Sequence, residues 1–429
     1  EHTSGIARVA AILFLCCPLL EENIIWAATT HYDAGLLLLL LSFLWLHRYL
    51  TVGVSRKSYV LFLVWNAFAM LTFELNLLAP LLYLGYFLLY VRLPVCHIHW
   101  KKCTVQILLP VSMLLLGYLL AMYLTRGTLH VHEGKGSSWL PGLTAICSNL
   151  SRHLLRAVLL LNYWPLSWRD RLFALCGEAR YYVPLLSCIP LLVVYVYRRH
   201  KKMVPVFLLF LCMGLLFFIP FTRGFFTVVF KYENLRYNYF AATFLLPAGS
   251  ILLFTLNSRW RTLLFWCWLS VYLLALLQTV HDKRQSARLY HRFIQHCPDP
   301  GKGKIILLNT PSFANESYMF WDRSRLPIAL NCYRELNAEG HLTQVLFYNG
   351  ISDADSFRVQ QVNDSSWHMQ LLTPGSWLMN TYQGASSYED TLYRCEVGEW
   401  GDFYLRLKRP LQPDESLYYF DSYTFHRLR

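Results

Sequence analysis

Long apolar runs fill the first 280 residues of this chain, and the loops between them carry their charges in two separate sets. The runs lie at about 6–20, 35–49, 58–73, 77–94, 105–124, 181–197, 203–220, 238–256 and 262–280. A helix needs roughly 17–25 apolar residues to cross the bilayer hydrocarbon. Taken alternately, one set of loops holds only bases: Arg48, Arg56 and Lys57, then Arg92, Lys101 and Lys102, then Arg198, Arg199, Lys201 and Lys202, then Arg259 and Arg261. The other set holds every acid between residues 2 and 280: Glu21, Glu22, Asp33, Glu74, Glu133, Asp170, Glu178 and Glu233. Excess Lys and Arg in short loops marks the cytoplasmic side. The expected fold is a polytopic α-helical membrane protein of about nine transmembrane helices, starting inside, with its acids on the outer face.

Composition agrees with that expectation. The chain is 55% hydrophobic and 15% charged, against about 25% charged in a soluble domain. The net charge of +13 does not imply a nucleic-acid partner. The bases are dispersed over membrane-flanking loops, where anionic lipid attracts them, and no nucleic-acid motif is present. Membrane lipids are the expected partner.

Two domains are expected. Residues 1–280 form the membrane domain, with an outside excursion at 125–180. Within that excursion, Leu150, Leu154, Leu155, Val158 and Leu159 oppose Arg152, His153 and Arg156, the pattern of an amphipathic helix lying in the interface, with Trp164 and Trp168 at headgroup depth. Residues 281–429 form an extracytoplasmic soluble domain, β-rich or α+β. Residues 281–296 continue as a helix, Lys304–Asn309 reads as a buried strand ended by a Pro311 turn, and Thr343–Tyr348, Phe357–Val362, Trp367–Leu372, Leu392–Val397, Phe403–Lys408 and Ser416–Phe420 read as strands. Of the 12 cysteines, Cys147, Cys176, Cys297, Cys332 and Cys395 are expected outside. That odd number leaves at least one thiol unpaired, and connectivity stays open. Cys96-His97-Ile98-His99 with Cys103 has faint metal-ligand spacing, but it reads as a juxtamembrane loop.

Three constellations carry chemistry. Glu21 and Glu22 close a span and precede Asp33, and carboxylates near hydrocarbon are costly and functional by default. Glu74 lies in an otherwise apolar hairpin. The loop 221–240 supplies Arg223, Lys231, Arg236, Tyr237 and Tyr239, and guanidinium with phenols suits a phosphate.

These residues resemble a family, the GT-C integral-membrane glycosyltransferases of the protein O-mannosyltransferase-like group and its bacterial relatives. Ala11–Trp26 is similar to a family segment through Pro18, Glu22, Ile24 and Trp26, with Cys17 where the family has His. Met70–Pro80 is similar through Glu74 and Pro80, with Phe73 where the family has Lys. Glu233–Tyr239 is similar through Arg236, Tyr237 and Tyr239. The likeness covers about residues 7–280.

The resemblance implies transfer of a sugar from a polyprenyl-phosphate donor to an acceptor on the extracytoplasmic face. Glu22, Asp33 and Glu74 are then the catalytic carboxylates, and one of them deprotonates the acceptor or holds a divalent cation. Arg236, Tyr237, Tyr239, Arg223 and Lys231 bind the phosphate. The family's own base or metal ligand is an Asp between its first two spans. The resemblance therefore implies two spans and that loop ahead of Glu1, or a member without the usual base. The implied location is a bacterial inner membrane with a periplasmic C-terminal domain. The alternative is a non-catalytic GT-C-like subunit that serves as scaffold in a larger membrane complex. A transporter is disfavoured, since no inverted repeat is visible.

Overall fold

The computed structural model describes residues 2–20, 30–52, 55–90, 104–126, 142–220, 238–300, 303–314, 317–320, 323–350, 355–373, 377–379, 387–398 and 402–429. The N-terminal region is mostly helical and the C-terminal region is β-rich with two sheets. The chain separates into two compact units, with the division near Leu276/Leu277 inside one long helix.

The first unit contains α1 (His2–Leu15), α2 (Thr30–Thr51), α3 (Arg56–Thr72), α4 (Ala79–Tyr90), α5 (Leu109–Arg126), α6 (Leu143–Leu159), α7 (Leu166–Leu175), α8 (Ala179–Arg199), α9 (Val204–Leu216), α10 (Asn238–Phe254) and the start of α11 (Ser258–His296). Among the described residues, four helices have the length and apolarity to cross a membrane: Thr30–Thr51, Val105–Thr125, Ala179–Arg199 and Ser258–His296. Their outward surfaces are apolar, as Leu37, Met113, Leu191 and Trp266 illustrate. Large exposed apolar surface suits lipid rather than water. Basic residues at one set of helix ends lie over aromatic rings: Arg48 over Trp45, Lys201 over Tyr197 and Arg261 over Phe254.

Polar side chains inside this unit meet one another. Ser42 Oγ and Tyr83 Oη are 2.8 Å apart, Ser42 Oγ donates to the Phe62 carbonyl at 3.2 Å, and Tyr83 Oη donates to Asn66 Oδ1 at 3.0 Å. Surrounded by apolar side chains, a lone hydroxyl or amide costs several kcal/mol, so three helices share these groups. Asn76, fully buried, donates through Nδ2 to the carbonyls of Gly35 and Ala69 at 3.1 and 2.8 Å. It thereby ties the short 3₁₀ turn Glu74–Leu78 to the ends of α2 and α3.

The outside excursion contains the expected helix, with several of its polar residues buried. Over Leu143–Leu159 the buried residues are Ser148, Ser151, His153 and Arg156, while Val158 and Leu159 are exposed. Against lipid, apolar side chains such as these two can stay exposed. Trp164 and Trp168 remain exposed.

In the second unit α11 runs unbroken to His296, and Arg334 closes its end by donating to the carbonyls of Ile294 (3.0 Å) and Cys297. A cation at a helix C-terminus also favours the dipole. The strands are β1 (Lys304–Ala314), β2 (Ser317–Tyr318), β3 (Leu342–Gly350), β4 (Phe357–Asn363), β5 (Ser366–Leu371), β6 (Trp377–Met379), β7 (Tyr388–Glu389), β8 (Tyr393–Val397), β9 (Asp402–Leu407), β10 (Glu415–Phe420) and β11 (Phe425–Arg427), with α12 (Arg325–Arg334) between β2 and β3. One sheet has the order β11-β10-β1-β3-β6, with β2 beside β1; the other is β4-β5-β9-β8-β7. Strand β1 pairs in parallel with both β10 and β3. Its Ile305 and Leu307 face α11 and α12, and its Ile306 and Leu308 face the second sheet. Burial on both faces explains its continuous apolar run. Strands β5 and β9 alternate buried and open positions, which leaves the outer face of the second sheet solvated.

Pro311 does not end β1. The strand continues to Ala314 with a register shift between Pro311 and Phe313. Pairing with β10 stops at Leu307, so the missing proline N–H leaves no ladder bond broken on that side. Beyond that point Asn309 takes over the ladder: its Nδ2 donates to the Phe420 carbonyl at 2.8 Å, and its Oδ1 accepts from the Phe420 amide at 2.8 Å. All five cysteines expected outside are free thiols. Burial pushes Cys297 and Cys395 up to about 12, which keeps both protonated and unreactive.

The start of β10 rests on an ion pair. Arg409 donates to both oxygens of Glu415 at 2.7 and 2.8 Å, and the Gln412 amide donates to it at 3.0 Å. The Arg409 bond, opposed by burial and helped by the Gln412 amide, pulls the Glu415 carboxyl from its ordinary 4.5 down to about 2. A carboxylate held low contributes stability above its unfolded value and loses it as pH falls towards the folded one. Hydrogen exchange of the β10 amides should therefore lose protection between about pH 4.5 and pH 2. Arg409→Ala should lower stability at neutral pH and flatten that pH dependence. Asn309→Leu should cost about 1–3 kcal/mol, since it strands the buried Phe420 amide and carbonyl. Urea titration followed through the same amides reads it.

Candidate functional site

The first turn of α2 reads Thr30-His31-Tyr32-Asp33, and the first turn of α10 reads Asn238-Tyr239-Phe240-Ala241. The two helix starts meet. The Tyr239 hydroxyl lies within hydrogen-bonding reach of the Asp33 carboxylate, and both side chains are half-buried. An acid in the first turn of a helix also gains from the helix dipole.

Aromatic packing fixes this junction. Phe73 lies 4.1 Å from Tyr32, 5.3 Å from His31 and 5.3 Å from Phe240, ring centroid to centroid. Tyr239 lies 6.0 Å from Phe14 at the end of α1. Glu74 follows Phe73 directly, at the start of the Glu74–Leu78 turn, with an exposed side chain. Of the residues singled out from sequence, Asp33 and Tyr239 meet; Glu74 follows Phe73, whose ring packs on the neighbouring Tyr32 and Phe240. Glu22, Arg223, Lys231, Arg236 and Tyr237 lie outside the described residues. So does the Cys96–Cys103 segment, and no metal-binding group of His, Cys, Asp and Glu occurs among the described residues.

Other contributors carry weaker sequence signals. Phe73, where the resembled family has Lys, is 7% exposed and belongs to the core. Gly35 allows the approach of α2 to the turn, because a Cβ there would meet Phe73 Cβ at 2.8 Å and Asn76 Nδ2 at 3.0 Å. Close by in sequence order, the turn Pro18–Leu20 is buried, and Tyr163 donates to the Pro18 carbonyl at 3.4 Å. The buried bases of α6 and α7 gather at Asn162: Arg156 Nε donates to its Oδ1 at 2.7 Å, and Arg169 to its carbonyl at 3.5 Å.

One turn along α10 from Tyr239 begins an apolar cavity of about 900 Å³. Ala242, Leu245 and Gly249 form its α10 wall, opposed by Leu19, Leu159 and Trp268. Cys17 and Tyr272, which share a hydrogen bond, supply part of its sparse polar lining. A space of this size and character accepts an extended apolar chain. The start of α10 thus offers a phenol that meets the Asp33 carboxylate, and the following turns of α10 line an apolar cavity.

No protein-family model, curated protein or solved structure matches this chain. Gly35→Ala tests the junction, since it should displace Phe73 and Asn76 and cost about 1–3 kcal/mol. Thermal unfolding in detergent reads the loss, and an unchanged midpoint would contradict the packing described.

Proposed function

We propose that the chain is a GT-C-like membrane glycosyltransferase that moves a sugar from a polyprenyl-phosphate donor to an acceptor on the extracytoplasmic face. The observation that carries this reading is the meeting of Asp33 and Tyr239, one turn along α10 from Ala242, where the lining of the apolar cavity begins. The cavity suits a polyprenyl tail along α10. Tyr239 suits the phosphate as a hydroxyl donor, and Asp33 suits the acceptor hydroxyl as general base, with Glu74 as a further carboxylate. Proton transfer to a positioned carboxylate contributes typically 10²–10⁴-fold. Arg236 and its neighbours Arg223, Lys231 and Tyr237 would stabilise the leaving phosphate. A divalent cation, if one serves, would sit on the same carboxylates.

The topology that goes with this reading has nine spans, with residues 281–429 periplasmic. In a variant that keeps only Cys332, which is exposed, a membrane-impermeant maleimide should label intact spheroplasts. Labelling only after lysis would overturn the orientation.

A second reading, a non-catalytic scaffold subunit, draws support from Phe73, an aromatic core residue where the resembled family carries a cation. Transfer from a radiolabelled polyprenyl-phosphate sugar in proteoliposomes separates the two. Asp33→Asn should lower turnover by roughly 10²-fold or more while donor binding persists. Equal turnover in the variant, or none in the wild type, favours the scaffold.

A further inference from the structure

The outer face of the second sheet carries more chemistry than a solvated surface needs. Strands β5, β9 and β8 lie side by side, and their outward residues fall in register. His368 on β5 stands opposite Tyr404 on β9, and Tyr404 stands opposite Glu396 on β8. One pair along, Arg406 stands directly opposite Arg394. Tyr404 is 49% exposed in the middle of this face.

Among the described residues, Tyr404 is braced by one ring. The His368 ring stacks on it at 4.3 Å and 9°, and His368 Nε2 is fixed to Asp402 Oδ1 at 2.9 Å. On its other flank, Glu396 and Arg394 stand on β8, and Arg406 lies two residues along β9 on the same face. Like charges directly opposite one another weaken an antiparallel pair, so the Arg394–Arg406 pairing costs the sheet stability. Arg394 is bridged to Glu396 at 2.9 Å. Arg406 is exposed and pairs with no carboxylate among the described residues.

We infer that this slot between β9 and β8 binds an acidic saccharide, a hexose ring carrying a carboxylate or a phosphate. The apolar face of a sugar ring packs on the face of Tyr404 away from His368. Glu396 accepts from ring hydroxyls. Arg406, with Arg394, meets the anion bidentately and relieves the like-charge pair. The His368–Asp402 brace holds the phenol upright before the ligand arrives, which lowers the ordering cost of binding. Failure of the transferase assignment leaves this face unchanged.

The full chain in zwitterionic phosphatidylcholine nanodiscs tests it by calorimetric titration with tetragalacturonate, glucose 6-phosphate and neutral maltotetraose. At least one acidic probe should bind and maltotetraose should not, and the acid that binds tells carboxylate from phosphate. Tyr404→Ala and Arg406→Gln should each weaken binding by roughly tenfold or more. Both side chains are exposed, so the fold survives the changes. Arg358→Gln, on β4 of the same sheet, should leave binding unaltered. Absence of binding by both acids, or equal losses from Arg358→Gln and Arg406→Gln, or no effect of Tyr404→Ala, would overturn the assignment.

Discussion

In the N-terminal unit the long helices expose apolar side chains, so a polar group on a helix is best satisfied inside. That constraint orders the rest. It draws Ser42, Tyr83 and Asn66 into one hydrogen-bonded set across three helices. It makes Asn76 the tie between the Glu74–Leu78 turn and the helices on either side. It buries Ser151, His153 and Arg156 of α6, while Val158 and Leu159 are exposed. It also brings Asp33 to Tyr239 where two helices begin. A half-buried carboxylate in such surroundings is expensive to keep, and its meeting with Tyr239, one turn along α10 from an apolar cavity, is what gives the transferase reading its physical content.

The C-terminal unit shows the opposite pattern: the sheet buried on both sides is the apolar one, and the outer face of the second sheet is polar. Specificity there comes from a few polar devices rather than from bulk burial. Asn309 continues a ladder past the point where the strands diverge, and Arg409 neutralises the buried Glu415.

Much of this architecture is legible in the sequence because periodicity follows solvent. The run Ile305–Leu308 marks a strand covered on both faces, and the alternation over Ser366–Leu371 and Asp402–Leu407 marks strands covered on one. Strands of two or three residues, such as β7 and β11, are too short to show a period. Helix α12 is missed because its ten residues begin with Pro327 in the first turn and carry only a short apolar stripe. The amphipathic pattern of α6 is legible in the sequence, while the burial of its Ser151, His153 and Arg156 depends on contacts that the pattern does not specify. At the site, sequence marks Asp33, Glu74 and Tyr239 individually, while the junction depends on Gly35 and Phe73, which look like ordinary core residues.

The central claim is that the cavity along α10 and the Asp33–Tyr239 junction form one site for a lipid-linked phosphate. Cryo-electron microscopy of the chain in nanodiscs with a polyprenyl phosphate tests this most directly. The account predicts tail density in the cavity beside Ala242 and Trp268, and phosphate density within hydrogen-bonding distance of Tyr239. An empty cavity, or a phosphate bound at the Arg48 and Lys201 end of the helices, would contradict it.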